Sequence, residues 1–265
     1  MTLTSGIMWM GKIWPGTWNG EELAPAELFG VLKGMGLETI DIFARAADEH
    51  GVDTLKAALD DSGLRCACYY IPADLVTEEP EKAQLADEAF PRGIEVAQQL
   101  GAPVVFTHGS QHAHSGEENL QRYIDRLGEK LALFAGTDLT LVIENAGFLL
   151  HEADKMVRVC EALGDLRLCP DTGNFTLWGQ DEIDAINQCL PWTAHFHIKD
   201  YAERWETDGK IGGKEAVLGE GITPVAEIIQ ILMDADWSGT LAWEPGPQDE
   251  AGVEASVAEL LRLIG

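Results

Sequence analysis

Four short apolar runs each lead to a residue able to bind a cation. Leu141-Val142-Ile143 ends at Glu144, Leu166 to Pro170 ends at Asp171, Phe196 runs into His197, and Thr240 to Trp243 ends at Glu244. An apolar strand that stops at a polar side chain is what an active site at a strand end looks like. The intervals are 27 residues (144 to 171), 26 (171 to 197) and 47 (197 to 244). The first two match one strand-plus-helix unit, and the third is lengthened by a loop. Three carboxylates and an imidazole form a hard, oxygen-rich donor set. Clustered without a cation, the carboxylates would repel and raise one another's pKa. With one divalent metal ion they are satisfied. The excess of oxygen favours Mn²⁺ or Mg²⁺, while Co²⁺ and Zn²⁺ are also accommodated. The plainer alternative, an acid that caps a helix or faces solvent, serves for one of these residues but not for four successive strand ends.

The neighbours of these four extend the pattern. Along Thr193 to Asp200, period two puts His195, His197 and Lys199 on one face, with Ala194, Phe196 and Ile198 on the other. His195 lies one layer deeper than His197 and reads as a core histidine. His108 follows the apolar run Val104 to Thr107 and faces the same mouth, either binding a substrate hydroxyl or making a structural hydrogen bond. His112 and His114 fall in the polar loop beyond it, facing solvent or serving a lid. Trp9, Trp14 and Trp18 cluster around the first loop, and Trp14 is the candidate for an apolar wall against a sugar ring. Trp243 alternates with Glu244 and should pack as core. Gly219-Glu220-Gly221 permits a tight turn near the site.

Strands are needed to bring these positions together. Beyond the four runs above, strand-like segments lie at residues 3–10, 39–43, 65–71 and 104–107. Helix-like segments fall at about 25–35, 52–62, 81–100, 117–134, 153–163, 182–190, 224–235 and 251–264. Gly101-Ala102-Pro103 stops the longest helix as a C-cap followed by proline would. Residues 11–20 exclude regular structure by their Gly and Pro content, and 200–221 reads as a long loop. Eight strand–helix units of about 33 residues predict an α/β fold, a (β/α)8 TIM barrel, spanning residues 1–265 as one domain. A doubly wound open sheet usually carries a GxGxxG turn after its first strand, and none occurs here.

Composition narrows the partners. No run of 18 apolar residues occurs, and the N-terminus lacks the basic and apolar regions of a signal peptide, so the expectation is a cytoplasmic protein without a membrane partner. Five cysteines without a CxxC pair read as buried thiols, with Cys66 and Cys68 on one strand face. With 45 Asp+Glu against 18 Lys+Arg, the formal charge of −27 argues against nucleic acid. It fits either a salty habitat or an acidic cytosolic protein. No basic cluster marks a phosphate site, which favours an unphosphorylated small-molecule substrate. A homo-oligomer is compatible with all of this.

The motifs Val142-Ile143-Glu144-Asn145, Pro170-Asp171-Thr172-Gly173-Asn174, His197-Ile198-Lys199-Asp200, Gly219-Glu220-Gly221 and Trp243-Glu244-Pro245-Gly246 resemble the xylose isomerase-like superfamily of sugar isomerases and epimerases. The resemblance spans nearly the whole chain. It is specific for the superfamily and weak for substrate. It implies one divalent metal held by Glu144, Asp171, His197 and Glu244, and proton transfer beside a carbonyl through a metal-stabilised enediolate. In the epimerase branch it implies that Glu144 and Glu244 act as base and acid from opposite faces of a keto-sugar or polyol. Asp41 matches a common family acid and is a candidate for substrate contact. Many relatives carry His three residues after the strand-six Asp, where this chain has Asn174, a second candidate for substrate contact. That departure argues against trinuclear endonucleases of the same fold. The Lys199-Asp200 pair resembles the branch containing inosose dehydratases. There Lys199 would polarise a carbonyl or assist departure of a hydroxyl, making the protein a lyase on an inosose or 3-keto-sugar. The competing reading of Lys199 is a salt bridge with Asp200 or Glu220. A sugar-binding barrel without activity is the third alternative.

Overall fold

The computed structural model describes residues 2–9, 17–18, 21–109, 116–208, 210–246 and 248–265. Eight parallel strands form a nearly closed barrel: β1 (Leu3–Trp9), β2 (Thr39–Phe43), β3 (Arg65–Tyr70), β4 (Val104–His108), β5 (Thr140–Glu144), β6 (Arg167–Cys169), β7 (Phe196–Ile198) and β8 (Gly239–Trp243). Ladders run from β6 back to β1, then through β8 to β7. The remaining seam, between β6 and β7, is bridged among the described residues only at Leu168–Thr193 and Asp171–His197. Its backbone bonds among the described residues are Ala194 N–H and His195 N–H to Leu168 O (3.0 and 3.4 Å) and His197 N–H to Pro170 O (3.0 Å).

Helices cover the outside, between successive strands. The longest, Pro80–Leu100, carries its apolar residues on one stripe (Ala86, Phe90, Ile94, Ala97), and Gly101 ends it in the left-handed conformation at φ 71°. Outward-facing strand residues such as Ile40, Ile143, Leu168, Phe196, Ile198 and Trp243 are buried against this layer. Full burial of each such side chain is worth about 1.5–3 kcal/mol. The surface ion pairs, such as Arg45–Glu49 and Arg65–Glu38, contribute about 0–1 kcal/mol each. Apolar burial therefore holds the layers together. Among the described residues, no helix is long and apolar enough to cross a membrane.

The structure departs from the sequence expectations in several places, among them two short helices, Ala44–His50 and Gly147–Leu150, where none was expected. A short helix, Thr172–Trp178, begins directly after Asp171, although its Thr and Gly content gives it little intrinsic helix preference. The Asp171 side chain caps it by accepting from Asn174 N–H, which explains how it forms. The expected loop at 200–221 contains an antiparallel hairpin, Tyr201–Thr207 with Lys210–Glu215. The first loop carries two two-residue strands, Thr17–Trp18 and Glu21–Glu22. Finally, Cys66 and Cys68 do not share a face. The β2–β3 register shifts between Ile40 and Asp41, leaving Ala67 as the extra residue of a bulge. Cys66 joins the outer core and Cys68 the barrel interior. All five cysteines are free and buried.

Candidate active site

At the C-terminal ends of the strands a cavity of about 690 Å³ opens, with Glu144, Glu244, Lys199, His108 and Asn174 among its polar lining. Ligand atoms of Glu144, Asp171, His197 and Glu244 all lie within 4.8 Å of one another. The donors come from four strands, β5 to β8, so the barrel brings together what the chain spaces apart. Each is held by its own local structure. Asn145 Oδ1 accepts from Asp171 N–H (2.6 Å) and its Nδ2 donates to Asp171 O (3.0 Å), tying the end of β5 to the end of β6. Asn174 N–H donates to Asp171 Oδ1 at 2.8 Å. His197 Nδ1 donates to Glu144 Oε1 at 2.5 Å.

Lys199 is the cation in this acidic group. Its Nζ lies 2.5 Å from Glu244 Oε1 and 3.7 Å from Asp171 Oδ2. The two partners expected from sequence are occupied elsewhere or absent. Asp200 accepts the backbone N–H groups of Gly219 (3.0 Å), Gly221 (2.9 Å) and Thr223 (3.1 Å), and Glu220 is exposed. Thr172 Oγ1 holds the Lys199 backbone, receiving its N–H at 2.9 Å and donating to its carbonyl at 2.8 Å. Gly173 lets the lysine stem lie across the helix start. A Cβ there would come within 2.8 Å of Lys199 Cβ.

The electrostatics follow from burial. Water is excluded from Asp171, which raises its pKa well above the ordinary carboxylate value; Lys199 opposes the rise, and Glu244 and Glu144 add to it. Burial acts the same way on Glu244, but there Lys199 wins and the pKa is lowered. Burial disfavours charge on His197 and on Lys199. The groups around His197 (Cys169, Asp41 and Glu144) and the carboxylates beside Lys199 (Glu244 and Asp171) outweigh it, so both pKa values are raised. Asp171 Oδ2 is buried with no hydrogen-bond partner among the described residues. An unpartnered carboxylate oxygen beside three further donors is an arrangement that a divalent cation completes, so the residues fit one.

The remaining sequence candidates divide. His108 lines the cavity with both ring nitrogens engaged, Nδ1 donating to Gly109 O (2.6 Å) and Nε2 lying 2.5 Å from Tyr70 Oη. Asn174 also lines it. Asp41, expected to touch substrate, does not reach the cavity: it is fully buried beneath His197, with Oδ2 2.6 Å from His195 Nε2. His195 is the buried histidine expected below His197. Trp9 packs in the core, edge-on to Phe29, and Trp14, His112 and His114 lie outside the described residues.

An apolar wall does exist, from residues the sequence reading passed over. Phe43, Tyr70 and Phe106 pack on one another with centroids 4.5 to 5.7 Å apart. Phe148 stands edge-on to Trp178 at 5.1 Å, and all five line the cavity. The first three were legible: Asp41/Phe43, Cys68/Tyr70 and Phe106/His108 share inward parity on their strands. Phe148 and Trp178 sit on short helices, where no such signal exists.

The barrel and the cluster of three carboxylates and an imidazole at its C-terminal end define a TIM-barrel protein whose cavity could hold a cation. The chain belongs to the xylose isomerase-like TIM barrel family, whose model matches residues 29–263. In sequence it is 27% identical over 146 residues to a 3-dehydroshikimate dehydratase of Bacillus anthracis, a match covering 49% of this chain and 51% of that one. The match thus spans about half the length of that curated relative. In structure it is similar to the 3-keto-D-glucoside 4-epimerase of E. coli (TM-score 0.76, 14% identity, 99% of both chains). It is also similar to a xylose isomerase-like TIM barrel protein of Mycobacterium smegmatis in complex with magnesium (TM-score 0.74, 16% identity, 99% and 96% of the chains).

Proposed function

We propose that this protein is a divalent-metal-dependent isomerase or epimerase acting on a small, unphosphorylated keto-sugar or polyol. The observation that carries the reading is the convergence of Glu144, Asp171, His197 and Glu244, of which Glu144 and Glu244 line the cavity. A bound Mg²⁺ or Mn²⁺ would supply Lewis acidity to a substrate carbonyl and its neighbouring hydroxyl, lowering the cost of removing the proton between them. The protein's own groups do the rest. Glu144 and Glu244 both line the cavity, and one takes the C–H proton while the other returns it. The wall of Phe43, Tyr70 and Phe106 offers an apolar surface to the carbon face of the substrate. Among the described residues lining the cavity, Lys199 is the one that carries a fixed positive charge, and Glu244 already engages it. This balance supports an uncharged substrate.

A second reading has its own support. Lys199 Nζ lies at the mouth of the acid pair, where it could hand a proton to a departing hydroxyl. A sequence relative is a dehydratase. Incubation in deuterated water with ketohexoses, a 3-keto-glucoside and 3-dehydroshikimate separates the two. Rearranged sugar carrying deuterium at carbon is the expected result; loss of water establishes the lyase instead. Glu144→Gln and Glu244→Gln are each expected to lower turnover by at least about 10²-fold with the fold retained. Near-normal turnover in both would sink the acid–base assignment.

A further inference from the structure

We propose that Asp41, held by His195, is a positioning residue for His197, fixing the imidazole with Nδ1 toward the other three donors and an N–H on Nε2. The inference rests on the metal-site reading above and adds residues outside the donor set. β2 and β7 are not neighbours in the sheet, so Asp41 meets the two histidines across the barrel interior. Its Oδ2 accepts from His195 Nε2 at 2.6 Å and lies 3.3 Å from His197 Nε2, a close charge contact that leaves Nε2 without a hydrogen-bond partner among the described residues. A carboxylate only accepts, so His195 Nε2 is protonated, and the same negative charge 3.3 Å from His197 Nε2 favours a proton there. That choice leaves His197 Nδ1 as the nitrogen that can offer a lone pair once its proton to Glu144 Oε1 is displaced. A carboxylate behind a ligating histidine is the common way to hold its tautomer and ring plane. The ring is also packed edge-on, against Phe106 (5.0 Å, 84°) and His195 (5.4 Å, 90°). Asp41 is fully buried and its Oδ1 has no hydrogen-bond partner among the described residues. Its polar contacts are thus directed at the two histidines and not at the cavity.

The same cluster has a rival use. Atoms of Cys169, His195 and His197 lie within 4.8 Å of one another and could hold a cation of their own. The test uses the full chain, its Asp41→Asn and His195→Gln variants, Mn²⁺ as the binding probe, and nitrogen-15 NMR of histidine in the Mg²⁺-loaded and metal-free protein. In the wild-type Mg²⁺ form, His197 is expected to be protonated at Nε2 and not at Nδ1. Both variants are expected to bind Mn²⁺ about 10- to 100-fold more weakly, with mixed His197 tautomers and an unchanged near-ultraviolet spectrum, as loss of an outer partner of a ligand does. Affinities within about threefold of wild type together with an unchanged tautomer overturn the proposal. So does a wild-type His197 protonated at Nδ1 in the Mg²⁺ form, a result that needs no variant to fold. If the wild-type chain takes up neither cation, the metal reading fails on its own, and the metal-free spectra decide this one. Loss of the Nε2 proton in Asp41→Asn supports it, and an identical pattern overturns it. A second equivalent of Co²⁺ with a thiolate charge-transfer band that disappears in Cys169→Ser would assign the cluster to its own cation and overturn it as well.

Discussion

Asp171 is the most demanding of the four donor positions. It is fully buried, one oxygen caps a helix, and the other, 3.7 Å from Lys199 Nζ, has no hydrogen-bond partner among the described residues. Asp171 and His197 both hold their protons more tightly than usual in the metal-free protein. Burial is the main cause for the acid, and neighbouring acceptors overcome burial for the imidazole. A cation must displace these protons. The sign follows: uptake releases protons, so affinity for Mg²⁺ or Mn²⁺ rises with pH. The expected outcome is a monotonic gain between about pH 6 and about pH 8, up to about tenfold per unit for each proton released. Titration calorimetry in buffers of different ionisation enthalpy checks it, and a pH-independent affinity with no proton release would contradict the burial argument. Linkage runs the same way for the metal-free fold. Raised pKa values contribute stability that is complete below the unfolded values and is lost as pH rises through the folded ones. Removing the metal should therefore cost more stability at the upper end of that range.

Among the elements, the stretch after β7 does more than connect. Asp200, almost fully buried, gathers three backbone N–H groups of the returning loop and so anchors the hairpin Tyr201–Thr207/Lys210–Glu215. That hairpin brings Ile211 to the cavity lining. Gly221 is required here because a Cβ would collide with the Asp200 carboxylate. Asp200→Ala leaves the three donors without their acceptor. At about 1–3 kcal/mol for a buried unsatisfied donor, and less for those that water reaches, a loss of about 2–4 kcal/mol is expected. Urea unfolding would report it as a lower midpoint at constant slope. A change below about 0.5 kcal/mol would mean that water replaces the carboxylate fully.

At the scale of the whole molecule, two features stand out. The barrel's least complete ladder, between β6 and β7, is the seam where Asp171 and His197 face each other. Metal binding across this seam would join strands that the backbone joins only by isolated bridges. The second feature is the charge of −27. Self-repulsion of that size destabilises a compact state, and salt screens it within about 10 Å at 0.1 M. The thermal midpoint is expected to rise between low salt and about 1 M salt. An unchanged midpoint would show that the carboxylates are spaced widely enough not to matter, and would remove the case for a salty habitat.

The order of strands and helices was readable because a barrel of this kind repeats a local pattern. An apolar run ends at a polar residue, a helix follows, and Gly63 and Gly101 mark helix ends by their left-handed conformation. The convergence of Glu144, Asp171, His197 and Glu244 was readable for the same reason, since their spacing counts strand–helix units. Only the three-dimensional structure could place Asp41 beneath His197, pair Lys199 with Glu244 or build the wall of Phe43, Tyr70 and Phe106. These depend on contacts across the barrel, between residues up to 154 positions apart, and no period within a strand encodes which inward side chain meets which. The helix at Thr172–Trp178 escaped for a related reason. Its own residues favour it weakly, and the cap that stabilises it is a side chain whose position is set by the barrel. Local pattern therefore put Glu144, Asp171, His197 and Glu244 at strand ends, and tertiary packing decided which residues line the cavity and what each one touches there.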